Sequence, residues 1–339
     1  MPVPRLDGME TRPFPRTPFT ASVVGLGTWQ LGADWGDVSE DDARAVLEAS
    51  LEAGVTFYDT ADVYGDGRSE TVVGRFLADH PDAGITVATK MGRRADQVPE
   101  NYVEAHFRDW LDRSRRNLGV DTIDLVQLHC PPSEVIDDDA TYDVLDRLVD
   151  EGVIASYGVS VETCAQALSA ITRPHLASVQ IILNAFRTKP LDEVLPAAEA
   201  AGVGIIARVP LASGLLSGKY DLDTTFAADD HRTYNRDGSA FDVGETFSGV
   251  DYATGVEAAR EFSALVASEL GPDVTPAQAA IAWIWQQPGV TTVIPGARNT
   301  DQATTNAAAG AVGTLPQSFL DGVRDLYDRR IRAQVHGRW

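Results

Sequence analysis

Four ionisable side chains stand where short apolar or β-branched runs give out. Asp59 follows Thr56-Phe57-Tyr58, with Tyr64 five residues behind it; Lys90 follows Val87-Ala88-Thr89, and His129 follows Val126-Gln127-Leu128. Each has a plain structural use when taken singly: capping a helix, packing, reaching solvent, or sitting satisfied in a core. Together they make a proton-donating set. A free phenol titrates near ~10, too high to exchange protons readily at neutral pH. A neighbouring ammonium favours tyrosinate and is expected to lower the Tyr64 pKa. Lys90 would supply that charge, Asp59 would hold the lysine as its counter-ion, and His129 would orient a substrate oxygen. Such a set polarises a carbonyl with no metal.

These groups can meet only if the runs are neighbouring strands. Eight runs read as strands: Ser22–Leu26, Thr56–Tyr58, Ile85–Thr89, Ile123–Leu128, Ser156–Val159, Ser178–Leu183, Gly204–Ala207 and Thr291–Ile294. Their starts are mostly about 25 to 35 residues apart, the length of a βαβ unit. Amphipathic stretches lie between them, among them Glu40–Ala53, Asn101–Leu118, Tyr142–Glu151 and Leu191–Ala201, and glycines follow each of these. Strands apolar throughout point to a parallel sheet covered on both faces. An open dinucleotide-binding sheet needs Gly-x-Gly-x-x-Gly after its first strand. Gly25-Leu26-Gly27-Thr28-Trp29-Gln30 lacks the third glycine and places Trp29 where pyrophosphate needs room. The pattern therefore predicts a (β/α)₈ TIM barrel, a single domain over 1–339, with an N-terminal extension at 1–20. A long insertion separates strands seven and eight, and its middle, Asp221–Gly249, reads as an extended loop over one end. In a barrel, chemistry gathers at the strand C-termini, and parallel neighbours sit about 4.8 Å apart.

The composition narrows the partners. The chain has 339 residues, 44% of them hydrophobic, enough for a large core. Fifty acidic against twenty-eight basic residues give a net charge of −22. Such a surface disfavours nucleic acid and anionic lipid. Only Lys90, Lys189 and Lys219 are lysines, so a lysine at a strand end is informative. No run approaches the ~18 apolar residues of a membrane span, and the N-terminus lacks the apolar core of a secretory signal. Cys130 and Cys164 are too few for a disulfide framework or a zinc cluster on their own. A cytoplasmic setting is expected.

The stretch Gly54-Val55-Thr56-Phe57-Tyr58-Asp59-Thr60-Ala61-Asp62-Val63-Tyr64-Gly65, continued by Ser69-Glu70 and Gly74, closely resembles the aldo-keto reductase signature. So do Thr89-Lys90, Asp124-Leu125-Val126-Gln127-Leu128-His129, and Val293-Ile294-Pro295-Gly296 with Gln302 and Asn306. The similarity runs from about Val24 to Asn306. It implies that Asp59, Tyr64, Lys90 and His129 form the family's catalytic tetrad. Hydride would pass between nicotinamide C4 and a carbonyl carbon, with Tyr64 as general acid, or as base when an alcohol is oxidised. The resemblance also implies a dinucleotide extended across the barrel's C-terminal face, covered by the region 210–250. Gly27, Thr28 and Trp29 would touch its nicotinamide–ribose part beside Asp59, and Ser160 and Gln180 would hold the carboxamide. Pro210, Leu211, Ser213, Gly214, Leu216, Ser217 and Lys219 would embrace the pyrophosphate. Ile294, Gly296, Arg298, Gln302 and Asn306 would take the adenosine end. Arg298 either forks onto a 2′-phosphate, favouring NADP(H) over NAD(H), or pairs with Asp301.

Three departures from the family pattern stand out. Arg208 replaces an aromatic that stacks on nicotinamide in many relatives, Val161 replaces an asparagine, and Cys130 directly follows His129. Trp29, Trp35, Tyr64, His129, Cys130, the insertion and the tail at Trp339 would line the substrate pocket. The expected partner is a small carbonyl or alcohol; the oligomeric state is open. The alternative reading is a nucleotide-binding regulatory subunit with little turnover, similar to potassium-channel β-subunits. The chain has no Tyr-x-x-x-Lys for a short-chain dehydrogenase and no Gly-x-Ser-x-Gly for a hydrolase.

Overall fold

The computed structural model describes residues 8–32, 38–240 and 244–339. Eight parallel strands follow the β-branched and apolar runs: β3 (Leu26–Gly27), β4 (Phe57–Asp59), β5 (Thr86–Met91), β6 (Leu125–His129), β7 (Tyr157–Ser160), β8 (Ser178–Ile182), β9 (Gly204–Arg208) and β10 (Val290–Val293). Each pairs with the next in sequence order. The two ends then meet: Gly25 N–H donates to the Val293 carbonyl at 2.8 Å, and Val293 N–H donates to the Val23 carbonyl at 3.0 Å. The sheet is thus a closed (β/α)₈ barrel, as the sequence predicts. Helices such as Glu40–Glu52, Glu104–Leu118, Asp139–Asp150 and Val194–Ala201 cover its outside. Two of them end on left-handed glycines, Gly119 (φ 69°) and Gly202 (φ 67°).

The beginning of the chain departs from expectation. A hairpin of β1 (Thr11–Pro13) and β2 (Thr20–Ser22) precedes the barrel, so Ser22 belongs to the hairpin and the first barrel strand is only Leu26–Gly27. Val24 adds a single bridge to Val293. The short Pro-flanked runs carry too little period-two signal to be read as strands. The hairpin has a task. Phe14, at its turn, enters the barrel and stacks on Phe57 with ring centroids 5.7 Å apart.

Strand alternation then places the site. Side chains two residues apart share a face, and Phe57, Ala88, Leu125 and Ile206 point inward beside Phe14 in one buried cluster. Two residues further along the same strands come Asp59, Lys90, Gln127 and Arg208, all buried. The barrel interior is therefore apolar at the hairpin end and polar at the strand C-termini.

Between β9 and β10 the described residues of the segment 209–289 form five helices or tight turns. The stretch Asp221–Gly249 is not simply an extended loop: it contains the helical turn His231–Tyr234 and a tight turn at Thr246–Gly249. Among the described residues no helix is long and apolar enough to cross a membrane.

Candidate active site

Asp59, Tyr64, Lys90 and His129 converge at the strand C-termini. Register puts Gly27 beside Asp59, Asp59 beside Ala88, Lys90 beside Gln127, and His129 beside Ser160. Lys90 is only 1% exposed. Its ammonium donates to Asp59 Oδ2, to the Thr60 carbonyl at 2.9 Å and to the Tyr64 hydroxyl at 3.5 Å. Asp59 Oδ1 accepts from Gln127 Nε2 at 3.0 Å and from Gln180 Nε2 at 2.8 Å. Both oxygens of a buried carboxylate are thereby satisfied. The Tyr64 ring lies edge-on to His129 at 6.0 Å and near-parallel to Trp29 at 6.2 Å.

Burial raises the Tyr64 pKa above its ordinary value; Lys90 pulls it down, while Asp59 and Glu245 add to the rise. The expectation of a lowered phenol is thus corrected. Removing the phenolate from water outweighs one ammonium that already has its own counter-ion. Burial pulls the Lys90 ammonium downward, but Asp59 and Tyr64 outweigh it and the pKa ends raised. At neutral pH the site holds a protonated phenol against a charged, paired lysine.

A groove of about 820 Å³ opens above these groups, within the range of small-molecule and cofactor sites. Nearly all the residues singled out in the sequence line it. Three do not. Lys90 lies beneath it and reaches it through Asp59 and Tyr64. The Leu216 side chain turns into the hydrophobic core, because the chain coils there in the tight turn Ala212–Ser217. Trp35 lies outside the described residues. Trp339 is not in the groove wall either; it packs behind, against Gly244, Gly249 and Arg187.

The lining suits a phosphate-bearing ligand. Lys219, Arg232 and Arg298 all line this groove although the chain is strongly acidic. Ala212, Ser213 and Gly214 take positive φ angles of 47°, 56° and 98° in a tight turn whose Ala212 and Gly214 N–H groups donate to the Val209 and Leu211 carbonyls at 3.2 and 2.9 Å. The Ser213 and Ser217 side chains add hydroxyls. Arg298 pairs with Asp230 Oδ2 at 3.6 Å; among the described residues this partner, rather than Asp301, is its ion pair. Gln302 Oε1 accepts from the Arg298 N–H at 2.9 Å, and Asn306 Nδ2 donates to the Gly296 carbonyl at 3.1 Å.

Several residues in or beneath the groove went unread in the sequence. Gln127, a lone amide in the apolar strand Leu125–His129, carried a signal. Arg232, bound to Asp230 and to the Tyr220 hydroxyl, carried none. Nor did Glu245, which pairs with Arg208, or His231, whose imidazole burial holds down to about 4, so a neutral ring lies 5.4 Å from that of Trp29. All three arise from the insertion, which lacks a periodic pattern. Arg208 does not stand bare: besides Glu245 it donates to the Val161 carbonyl at 3.2 Å and to Cys130 Sγ at 3.8 Å. Cys130 Sγ also lies 3.3 Å from Ser160 Oγ.

The model of the Aldo/keto reductase family matches residues 23–328. An uncharacterized oxidoreductase of Mycobacterium tuberculosis is 32% identical over 308 residues, covering 88% of this chain and 87% of its own. The aldo-keto reductase YhdN of Bacillus subtilis is 29% identical over 298 residues, covering 87% and 86%. Among solved structures, a glycerol dehydrogenase from Gluconobacter oxydans superposes with a TM-score of 0.77 at 31% identity, covering 95% of this chain and 96% of that one.

Proposed function

The chain belongs to the aldo/keto reductase family of oxidoreductases, and from that premise we propose that it reduces an aldehyde or ketone to the alcohol with NADP(H), using Tyr64 as the general acid. The observation that supports this most is the 3.5 Å contact between the Lys90 ammonium and the Tyr64 hydroxyl at the floor of the groove. Burial keeps the phenol protonated until it is needed. As charge develops on a carbonyl oxygen, Tyr64 gives up its proton and the Lys90 ammonium stabilises the tyrosinate left behind. Asp59 fixes Lys90, while Gln127 and Gln180 fix Asp59. His129, edge-on to Tyr64, orients the carbonyl oxygen. When bound, the reduced nicotinamide supplies the hydride.

The groove residues of the region 210–250 would cover this cofactor, with Ser213, Gly214, Ser217 and Lys219 at the pyrophosphate. Arg298 would exchange Asp230 for a 2′-phosphate, which favours NADP(H). Solved aldo/keto reductases from Klebsiella pneumoniae carry NADPH or NADP, which accords with this choice.

The test is Tyr64→Phe, assayed with a carbonyl panel that includes a small hydroxyaldehyde, because one relative is a glycerol dehydrogenase. NADPH should still bind, read by quenching of tryptophan fluorescence, while turnover falls by about 10²–10⁴-fold. Undiminished turnover would remove Tyr64 as the acid. A wild-type protein that binds NADPH yet oxidises it no faster with any carbonyl would instead favour a nucleotide-binding subunit.

A further inference from the structure

Arg208 and Glu245 form an ion pair inside the groove, with side chains only 10% and 13% exposed. Arg208 comes from the end of β9; Glu245 comes from the insertion. The position of Glu245 is over-determined. Its carbonyl accepts from Ser213 Oγ at 3.4 Å, and that same hydroxyl accepts from the Phe247 N–H at 3.0 Å. Arg187 donates to the Gly244 carbonyl at 3.2 Å, and Asn184 Nδ2 donates to Ser248 Oγ at 2.8 Å. The Trp339 indole packs against the segment: a Cβ at Gly244 or Gly249 would come within 2.1 or 2.3 Å of it. Phe247 and Ser248 hold φ angles of 52° and 58°, costly for residues with a Cβ, and such strain persists only where the surroundings impose it.

The pair faces the reacting end of the groove. Arg208 contacts Cys130, the neighbour of His129, and the negative charge of Glu245 is felt at the Tyr64 hydroxyl. A guanidinium without the Glu245 carboxylate beside it would repel a cationic ring and spare a neutral one. We propose that Glu245 is a specificity-determining residue that neutralises Arg208, so that the oxidised dinucleotide, whose pyridinium is positively charged, is not penalised against the reduced one. This rests on the dinucleotide reading above and adds to it which redox state the groove tolerates.

The experiment measures equilibrium binding of NADPH and of NADP⁺, without substrate, to the wild type and three variants. In Glu245→Gln the ratio Kd(NADP⁺)/Kd(NADPH) should rise about tenfold, the scale of one charge in a partly screened site. In Arg208→Gln, where the carboxylate loses its ion-pair partner, the ratio should fall by a similar factor. The double variant, which lacks both charges of the pair, should return to the wild-type ratio. The opposite signs keep the test decisive should one single variant fail to fold. An unchanged ratio in a folded single variant, or a ratio that stays displaced in the double one, overturns the proposal. So does an equal loss of both nucleotides, which would make Glu245 a loop anchor only. Failure of the wild type to bind either nucleotide is a separate result: it ends the dinucleotide reading and this inference with it.

Discussion

Asp62 and Tyr64 stand two positions apart in one loop, and burial acts on both acids. For Tyr64 the Lys90 ammonium opposes it; for Asp62 the opposition comes from Arg94 and Arg113, while Glu70 adds to the rise. Neither Asp62 carboxyl oxygen reaches a hydrogen-bond partner, and the pKa is pushed up to about 7. A carboxyl that titrates near ~3.9 in an unfolded chain is thus held protonated by the fold. This favourable contribution is complete below the unfolded value and is lost as pH rises through about 7. Asp62→Asn removes the dependence. The wild type should therefore lose stability relative to Asp62→Asn between pH 5 and 8, by on the order of a few kcal/mol at most, seen as a falling melting temperature, and the gap should level off above pH 8. Thermal scans of the two proteins side by side check this; parallel curves would contradict it.

Among elements, the helix Arg68–Asp79 explains residues of the motif that do no chemistry. Ser69 Oγ lies 2.8 Å from Thr28 Oγ1, accepts from Thr60 Oγ1 at 2.9 Å and donates to the Thr28 carbonyl at 3.0 Å, tying the ends of β3 and β4 to the helix start. Glu70 accepts from Thr89 at 2.6 Å and from Asn117 at 2.8 Å, reaching β5 and the helix Glu104–Leu118. Thr28, Thr60 and Thr89 adjoin Trp29, Asp59 and Lys90, so this knot sets the spacing of the groups above it. Gly74 makes it possible. A Cβ there would lie 2.5 Å from the Asn117 carbonyl oxygen and 2.6 Å from that of Leu118. Since both obstacles are backbone, Gly74→Ala should destabilise by about 1–3 kcal/mol, read as a lower urea midpoint. An unshifted midpoint would show that the two helices separate at no cost.

For the whole molecule, the barrel has one stoppered end and one end that opens into the groove. Phe14 packs inside with Phe57 and Ile206, and its ring bears on Gly204. Phe14→Ala opens a cavity in that interior and should lower stability by about 3–5 kcal/mol. It should leave the NADPH dissociation constant within twofold of wild type, because the groove lies at the opposite end. Denaturation and fluorescence titration of one preparation test both halves, and a large loss of affinity with little loss of stability would reverse the assignment. The charge distribution follows the same polarity: Lys219, Arg232 and Arg298 gather along the groove of a chain with net charge −22.

What the sequence by itself determined was whatever rests on period and adjacency. Alternating β-branched runs, helical stretches and closing glycines define the barrel. Because side chains two apart share a strand face, Asp59, Lys90 and His129 had to arrive at one rim. The hairpin was not legible, since six strand residues among prolines carry almost no period. The tertiary structure alone decided the balances. Tyr64 is raised rather than lowered, because its degree of burial is a property of the assembled barrel. Arg298 faces Asp230, and Arg208 faces Glu245, because an aperiodic insertion of the 209–289 segment folds back over the groove. Burial and ion pairing depend on residues far apart in the chain, and only the closed fold brings them within reach.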